Sequence, residues 1–381
     1  MRLENVTVLG AGGKMGRGIA LLLLQQMAMQ SGASYLHLID LDESQLTALR
    51  PYFREHLRRF AEKNIIRLRE QSDMVSNQEV IEEYIERGLD LIYLHTHLDA
   101  SLHSTHIFEA IVEDVEKKAK VLSYINRQSV ASPLFLSNTS SIPIHLLNEK
   151  ADLHGRILGF HFYNPPPVQS LVELVTLEDE KMREEGEKIA KCLGKVVVRS
   201  KDVAGFIGNG HFIRELSFAN EMLSKLPEKI GPAVIDYVTR EYLIRPMGLF
   251  ELLDFVGYDV AKRICTIMND QLSENFKLPP KWNREEVEEL EEFLGPLPEG
   301  HKTARDARHG MDFESYFKNL FHSKEKGAKL AVDFLLESRK IALNLTLQGV
   351  AESIEDVNTV LMTGFHHLYG PDNPWIPKER K

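Results

Sequence analysis

Residues 5–40 constrain the fold more than any other stretch of the chain. NVTVLG (5–10) is a short β-branched run closed by glycine, and the loop GAGGKMGRG (10–18) follows it directly. The apolar IALLLLQQMAMQ (19–30) has helical character, and after a Ser-Gly break YLHLID (35–40) reads as a second strand. Strand, glycine loop, helix and strand in this order make a βαβ unit, which predicts a parallel sheet with helical crossovers.

Three features of the loop point to a dinucleotide. Gly10, Gly12, Gly13 and Gly16 lie between a strand and a helix, where glycine lets the backbone turn tightly and approach a pyrophosphate at the helix N-terminus. Lys14 and Met15 open that helix. Asp40 closes the second strand 24 residues beyond Gly16, placed to accept hydrogen bonds from a ribose 2′-OH. No lysine or arginine lies between residues 38 and 49 to receive a 2′-phosphate, and Asp42 adds negative charge, so NAD is expected rather than NADP. The spacing GxGxxxG is one residue off the commonest form.

Further strand-like runs are LDLIYLH (89–95), HIFEAIV (106–112), SPLFLSN (132–138), RILGFHFYN (156–164), LVELVTL (171–177) and KVVVRSK (195–201). A charged stretch of helical period fills 43–90, and another helical segment spans 113–128. Past Ala204 the β-branched runs stop and helical period takes over, interrupted by a Pro- and Glu-rich section at 278–302. AVIDYVTREYLIRPMG (233–248) and IEDVNTVLMTGFHHLYG (354–370) align at an offset of 122, pairing Ile235 with Val357, Asp236 with Asn358, Val238 with Val360 and Gly248 with Gly370. Internal duplication is the economical reading. The expected organisation is an α/β domain over 1–200, a helical domain over 201–277, a connecting segment over 278–329 and a second helical repeat over 330–381.

In 381 residues, 43% hydrophobic and 27% charged, a formal net charge of −10 argues against nucleic-acid or anionic-membrane partners. Two cysteines, Cys192 and Cys265, supply no disulfide framework, which fits a reducing compartment. Met1 leads straight into a strand-like run with no room for a signal peptide, and the apolar run Ile19–Leu24 is too short to span a bilayer. A cytoplasmic location is expected. His95, His97, His103 and His106 suggest a metal, but without a cysteine partner they read as a polar surface cluster, and no metal is expected.

The glycine loop, LSNTSS (136–141), GFHFYNPPP (159–167), LVELV (171–175), DVAGFIGN (202–209) and PMGLFELLDFVG (246–257), in this order, resemble the L-3-hydroxyacyl-CoA dehydrogenase family of fatty-acid β-oxidation over residues 5–260. The resemblance implies a Rossmann-type NAD-binding domain followed by an all-α region, with the active site in the cleft between them. It places the catalytic histidine on His161, its paired glutamate on Glu173, and the serine and asparagine of the family motifs on Ser140 and Asn209. Glu113, Lys118 and Asn164 fall on cofactor-contacting positions, and His56 and Lys63, with Ser140, on positions for the CoA substrate. Beside Arg58 and Arg59, Lys63 equally reads as a solvated helix face.

The residue types support that chemistry. Oxidising a secondary alcohol needs a base for the hydroxyl proton, and histidine titrates near working pH. A buried carboxylate holds the imidazole in one tautomer and stabilises the imidazolium. His161 between phenylalanines and Glu173 within LVELV are joined by a proline corner that folds one onto the other. Gly210 stands where the family carries arginine, His106 where aspartate is common, and GHKTARDARHG (300–310), with Lys302, is a reduced form of a C-terminal basic segment. The expected reaction is NAD-dependent oxidation of an L-3-hydroxyacyl-CoA to the 3-oxoacyl-CoA. A free hydroxy acid such as a sugar acid as substrate, and a non-catalytic NAD-binding sensor, are the competing readings. The resemblance implies dimerisation through the helical domain; a second internal copy on that surface would give a monomer instead.

Overall fold

The computed structural model describes residues 3–30, 32–177, 179–282 and 290–377; residues 283–289 of the expected connecting segment and 378–381 of the expected second repeat lie outside it. The chain divides into two compact units, Met1–Val198 and Arg199–Lys381. No helix among the described residues is long and apolar enough to cross a membrane.

The first unit is built on one eight-stranded sheet in the order β3-β2-β1-β4-β5-β6-β7-β8. Its strands are β1 (Asn5–Leu9), β2 (Tyr35–Ile39), β3 (Ile92–His95), β4 (His106–Glu109), β5 (Leu134–Ser137), β6 (Ile157–Phe162), β7 (Leu171–Val175) and β8 (Val196–Ser200). The neighbours from β3 to β6 pair in parallel, and β6 turns back antiparallel onto β7. The helix Lys14–Met27 buries a continuous run from Gly18 to Gln25, as a helix covered on most sides must. Residues 89 and 90, expected in a strand, instead end the helix Asn77–Asp90. That helix opens on a Ser76–Glu79 capping box and pairs with the helix Leu49–Lys63, to which Arg54–Glu86 and Arg58–Glu82 ion pairs join it. Phe53, Leu57, Tyr84 and Ile85 fill the core between them and the sheet.

The second unit has a core of its own. Helices Gly208–Leu223 and Gly231–Tyr237 are followed by a π-turn at Val238–Tyr242 and by helices Leu249–Val256 and Tyr258–Leu272. The long helix Lys326–Leu347 and the helix Ile354–Gly364 overlap the first two when those are shifted by 122 residues. A shared detail goes with that offset. Asp236 accepts from the Phe250 amide, and Asn358 accepts from the Asp372 amide, each across 14 residues. A side chain at Gly248 would collide with Asp236, and one at Gly370 with Asn358. The two segments part after the second helix, because residues 365–377 contain no counterpart of Leu249–Val256 or Tyr258–Leu272. Residues 278–329 are more than a connection: the helix Phe313–His322 buries Tyr316, Phe317 and Leu320 in the core, and Tyr316 Oη donates to the Tyr242 carbonyl at 2.8 Å.

Candidate active site

In open parallel sheets, ligands bind beyond the carboxyl ends of the strands. In the first unit the chemistry-bearing residues gather there: Gly10 after β1, Asp40 after β2, Glu109 and Glu113 at and beyond the end of β4, Asn138–Ser140 after β5 and His161 near the end of β6.

At Gly10 and Gly16 the loop after β1 admits only glycine. Gly10 has φ +74°, and a Cβ there would lie 2.6 Å from the Ala110 carbonyl oxygen. Gly16 packs against the Gly10 carbonyl so closely that any side chain would clash. The helix that follows has no side-chain cap and no acidic residue in its first turn, so its amide N–H groups and dipole face the loop. Lys14 is exposed there, whereas Met15 packs partly against the core. One Asp40 oxygen accepts from Gly12 N at 2.9 Å and the other from Asp42 N at 3.1 Å. The carboxylate is thereby fixed at the loop's edge. Asp42 caps the helix Glu43–Thr47, and bonds from Ser44 and Gln45 hold its carboxyl below the usual range. The cradle fits a dinucleotide.

His161 and Glu173 are directly opposed across β6 and β7, so their side chains share one face. His161 Nδ1 lies 2.8 Å from Glu173 Oε2. The histidine is 8% exposed and the glutamate 0%. The Phe162 amide donates to Asn138 Oδ1 at 2.9 Å, tying the end of β6 to the segment that carries Ser140. Asn164 follows at the corner, ahead of a cis bond to Pro165. Lys195 Nζ donates to the Pro166 and Gln169 carbonyls, each at 2.6 Å, and burial pulls its ammonium down to about 8.

Glu113 accepts from Thr139 Oγ1, from the Ser140 amide and from Ser141 Oγ. Burial alone would raise its carboxyl, but Lys118 and these three donors outweigh burial and lower it. Lys118, a position the resemblance assigns to the cofactor, is buried beside Glu113. Its side chain is 1% exposed, and Nζ lies 2.6 Å from Glu109 Oε1 and 3.3 Å from Glu113 Oε2. An ammonium removed from water needs paired carboxylates, and Glu109, itself fully buried, is the residue that sequence reasoning missed.

On the helix Leu49–Lys63, His56 is half-buried against the Tyr52 ring, with centroids 4.3 Å apart. Arg58 and Arg59 are paired with Glu82 and Glu55, whereas exposed Lys63 has no ion pair among the described residues. In the second unit, Asn209 opens the helix Gly208–Leu223, behind a turn in which Gly205 (φ +85°) and Phe206 (φ +50°) are both left-handed. Beside it, where the family has arginine, Gly210 offers its carbonyl to Arg214 Nη1 at 2.8 Å. Lys302 Nζ donates to the Gly310 carbonyl at 2.5 Å. The histidine cluster takes in His37, whose Nδ1 is 3.2 Å from His95 Nε2; no three His, Cys, Asp or Glu among the described residues form a metal-holding group.

The family model described as 3-hydroxyacyl-CoA dehydrogenase, NAD binding domain, matches residues 5–203. The chain belongs to the 3-hydroxyacyl-CoA dehydrogenase family. That family's C-terminal domain matches residues 205–292. The chain is 32% identical over 287 residues to the mitochondrial hydroxyacyl-coenzyme A dehydrogenase of Sus scrofa, covering 74% of this chain and 86% of that one. It is 33% identical over 285 residues to a 3-hydroxybutyryl-CoA dehydrogenase of Mycobacterium tuberculosis, covering 73% and 89%. The crystal structure of 3-hydroxybutyryl-CoA dehydrogenase from Escherichia coli K12 shares the fold, with a TM-score of 0.69 at 20% identity over 97% of this chain and 90% of that chain. The likeness of fold thus extends past residue 292, where the family models end.

Proposed function

We propose that this chain catalyses the reversible NAD-dependent oxidation of L-3-hydroxyacyl-CoA to 3-oxoacyl-CoA, the type of reaction used in fatty-acid β-oxidation. The observation that carries this reading is the His161–Glu173 pair, 2.8 Å apart, on the sheet whose first loop is the dinucleotide cradle. Bound NAD supplies the hydride acceptor. With Nδ1 donating to Glu173, His161 keeps the lone pair of Nε2 for the substrate hydroxyl proton. Glu173 fixes that tautomer and stabilises the imidazolium once the proton has arrived. Asp40 orients the adenosine ribose, and the Gly10–Gly16 loop with the helix it opens holds the pyrophosphate. Glu113 orders the Thr139–Ser141 turn through its three donors, so Ser140 presents its hydroxyl from a fixed backbone.

The roles of His56 and Lys63 are contacts to CoA; the exposed ammonium of Lys63, which has no ion pair among the described residues, supports the latter. A cytoplasmic setting is supported by the two free cysteines, Cys192 and Cys265. A monomer is the oligomeric state that the pairing of Gly208–Leu223 with Lys326–Leu347 supports, through the bond from His211 Nε2 to the Ser338 carbonyl at 3.1 Å.

The deciding experiment measures NADH oxidation with acetoacetyl-CoA and longer 3-oxoacyl-CoAs, beside NAD reduction with free 3-hydroxy acids and sugar acids. Turnover of the thioesters, with free acids inert, is the expected result. Turnover of free acids alone would reassign the substrate, and NAD binding without turnover of any of them would remove the enzyme reading.

A further inference from the structure

Two residues beyond His161, strand alternation returns the side chain of Tyr163 to the face that His161 occupies. The rings of the two residues lie 4.8 Å apart. Tyr163 Oη donates to Glu173 Oε2 at 2.9 Å, and this is the same oxygen that faces His161 Nδ1 at 2.8 Å. One carboxylate oxygen thus receives two donors, from a histidine and a tyrosine of a single strand and its exit.

Glu173 is fully buried, and a carboxylate stripped of water needs protein donors in place of its lost hydration. The proton nearest to hand is the one on His161 Nδ1. If Glu173 swung away, that proton would lose its acceptor and the imidazole could carry it on Nε2 instead, where the substrate hydroxyl needs a lone pair. A second donor on Oε2 opposes that movement. Tyr163 is suited to the task because it does not ionise in the working range: burial first, and then the neighbouring Glu173 charge, push its phenol well above the usual value. Packing alone would be served as well by phenylalanine, which fills the same volume without the oxygen.

We propose that Tyr163 is a positioning residue whose hydroxyl holds the Glu173 carboxylate against Nδ1 of His161 and so keeps Nε2 open as the proton acceptor. The inference rests on the reading of His161 as the base and adds a third member to the pair.

Tyr163→Phe keeps the ring and removes only the donor. In the substituted enzyme, kcat for reduction of acetoacetyl-CoA is expected to fall about 10- to 150-fold, the range for one hydrogen bond to a charged group. KM for the thioester and Kd for NADH are expected to stay within about twofold, because the lost interaction acts on the chemical step. In protein labelled with 15N-histidine, the His161 resonances, assigned by their absence in His161→Gln, should change from one Nδ1–H tautomer to a mixture. Placing 4-aminophenylalanine at position 163 restores a donor and should recover the single tautomer and most of kcat. Unchanged ring spectra in Tyr163→Phe overturn the proposal, as does a fall in kcat that the amino analogue fails to reverse. The spectra need no substrate: if the unsubstituted protein turns over no 3-oxoacyl-CoA, the activity assignment fails while the tautomer measurement still decides the role of Tyr163.

Discussion

At the scale of single residues, the proposed chemistry rests on one histidine and one carboxylate held by strand register. His161→Gln is expected to lower turnover by about 10²–10⁴-fold, the usual contribution of a positioned general base. NAD affinity should stay nearly unchanged, since the dinucleotide is held from the Gly10–Gly16 loop and Asp40; isothermal titration calorimetry checks it. Glu173→Gln should also slow turnover, because an amide can still meet the ring but cannot stabilise an imidazolium. The double variant should be little slower than His161→Gln alone, as for residues that act as a unit; multiplicative losses would separate them. Asp40→Ala should erode a preference for NAD over NADP and loosen the loop, because one oxygen of that carboxylate holds the Gly12 amide. Equal affinity of the unsubstituted protein for both cofactors would refute the ribose assignment.

Between elements, the second unit carries a buried ion pair. Arg245, in the loop beyond the π-turn, forks onto Glu215 of the helix Gly208–Leu223 at 3.0 and 2.8 Å, and reaches toward Ser338 of the helix Lys326–Leu347. Arg245 Nε and His211 Nδ1 are buried without a hydrogen-bond partner among the described residues. Burial by itself would raise the Glu215 carboxyl, but Arg245 and then His211 outweigh it and bring it from the ordinary 4.5 down to about 2. A carboxyl lowered on folding contributes stability that is complete above its unfolded value and is lost as pH falls toward its folded value. The window here is therefore about pH 4.5 down to about 2. Glu215→Gln should lose less stability than the unsubstituted protein between about pH 5 and about pH 3, because it lacks this group's titration. At neutral pH it should be about 3–5 kcal/mol less stable, since Arg245 stays buried with its charge unanswered. Urea denaturation at the three pH values tests both, and an equal acid dependence would show that the pair does not govern this window.

For the molecule as a whole, the second unit depends on its C-terminal third. Tyr369 Oη reaches the Leu243 carbonyl at 2.5 Å, and Phe313, Phe317, Tyr369 and Trp375 form one aromatic cluster. The helix Lys326–Leu347 buries Phe334, Leu335, Ile341 and Leu345, an apolar face that needs a partner. A chain ended after residue 277 should leave the matching face of Gly208–Leu223 uncovered and elute as a dimer or larger species, as exposed apolar patches of this kind do. Light scattering after gel filtration reads this directly. A folded monomer from the shortened chain would show that the second helical segment is dispensable.

The sequence by itself determined what local physics encodes. A glycine loop between a β-branched run and an apolar helix has few conformations open to it, so the parallel sheet, the cradle and Asp40 at its edge were legible from residues 5–40. The change from period two to helical period near residue 200 was legible in the same way. The family motifs singled out His161 and Glu173, and the prolines between them called for a corner. Only the tertiary structure decided the partners. Register across β6 and β7 placed Glu173 opposite His161, and the alternation of one further step put Tyr163 on that oxygen, a signal present in the spacing but overlooked. Lys118 turned inward because β4 offers Glu109 nine residues before it, and the chain could not announce which carboxylate would be buried within 2.6 Å. The likeness between the two helical segments ends after two helices, since residues 365–377 pack as aromatics on Phe313, Phe317 and Phe212 instead of forming further helices. Periodicity and turn chemistry are written in adjacent residues, whereas the answer to a buried charge comes from whichever distant element packs against it.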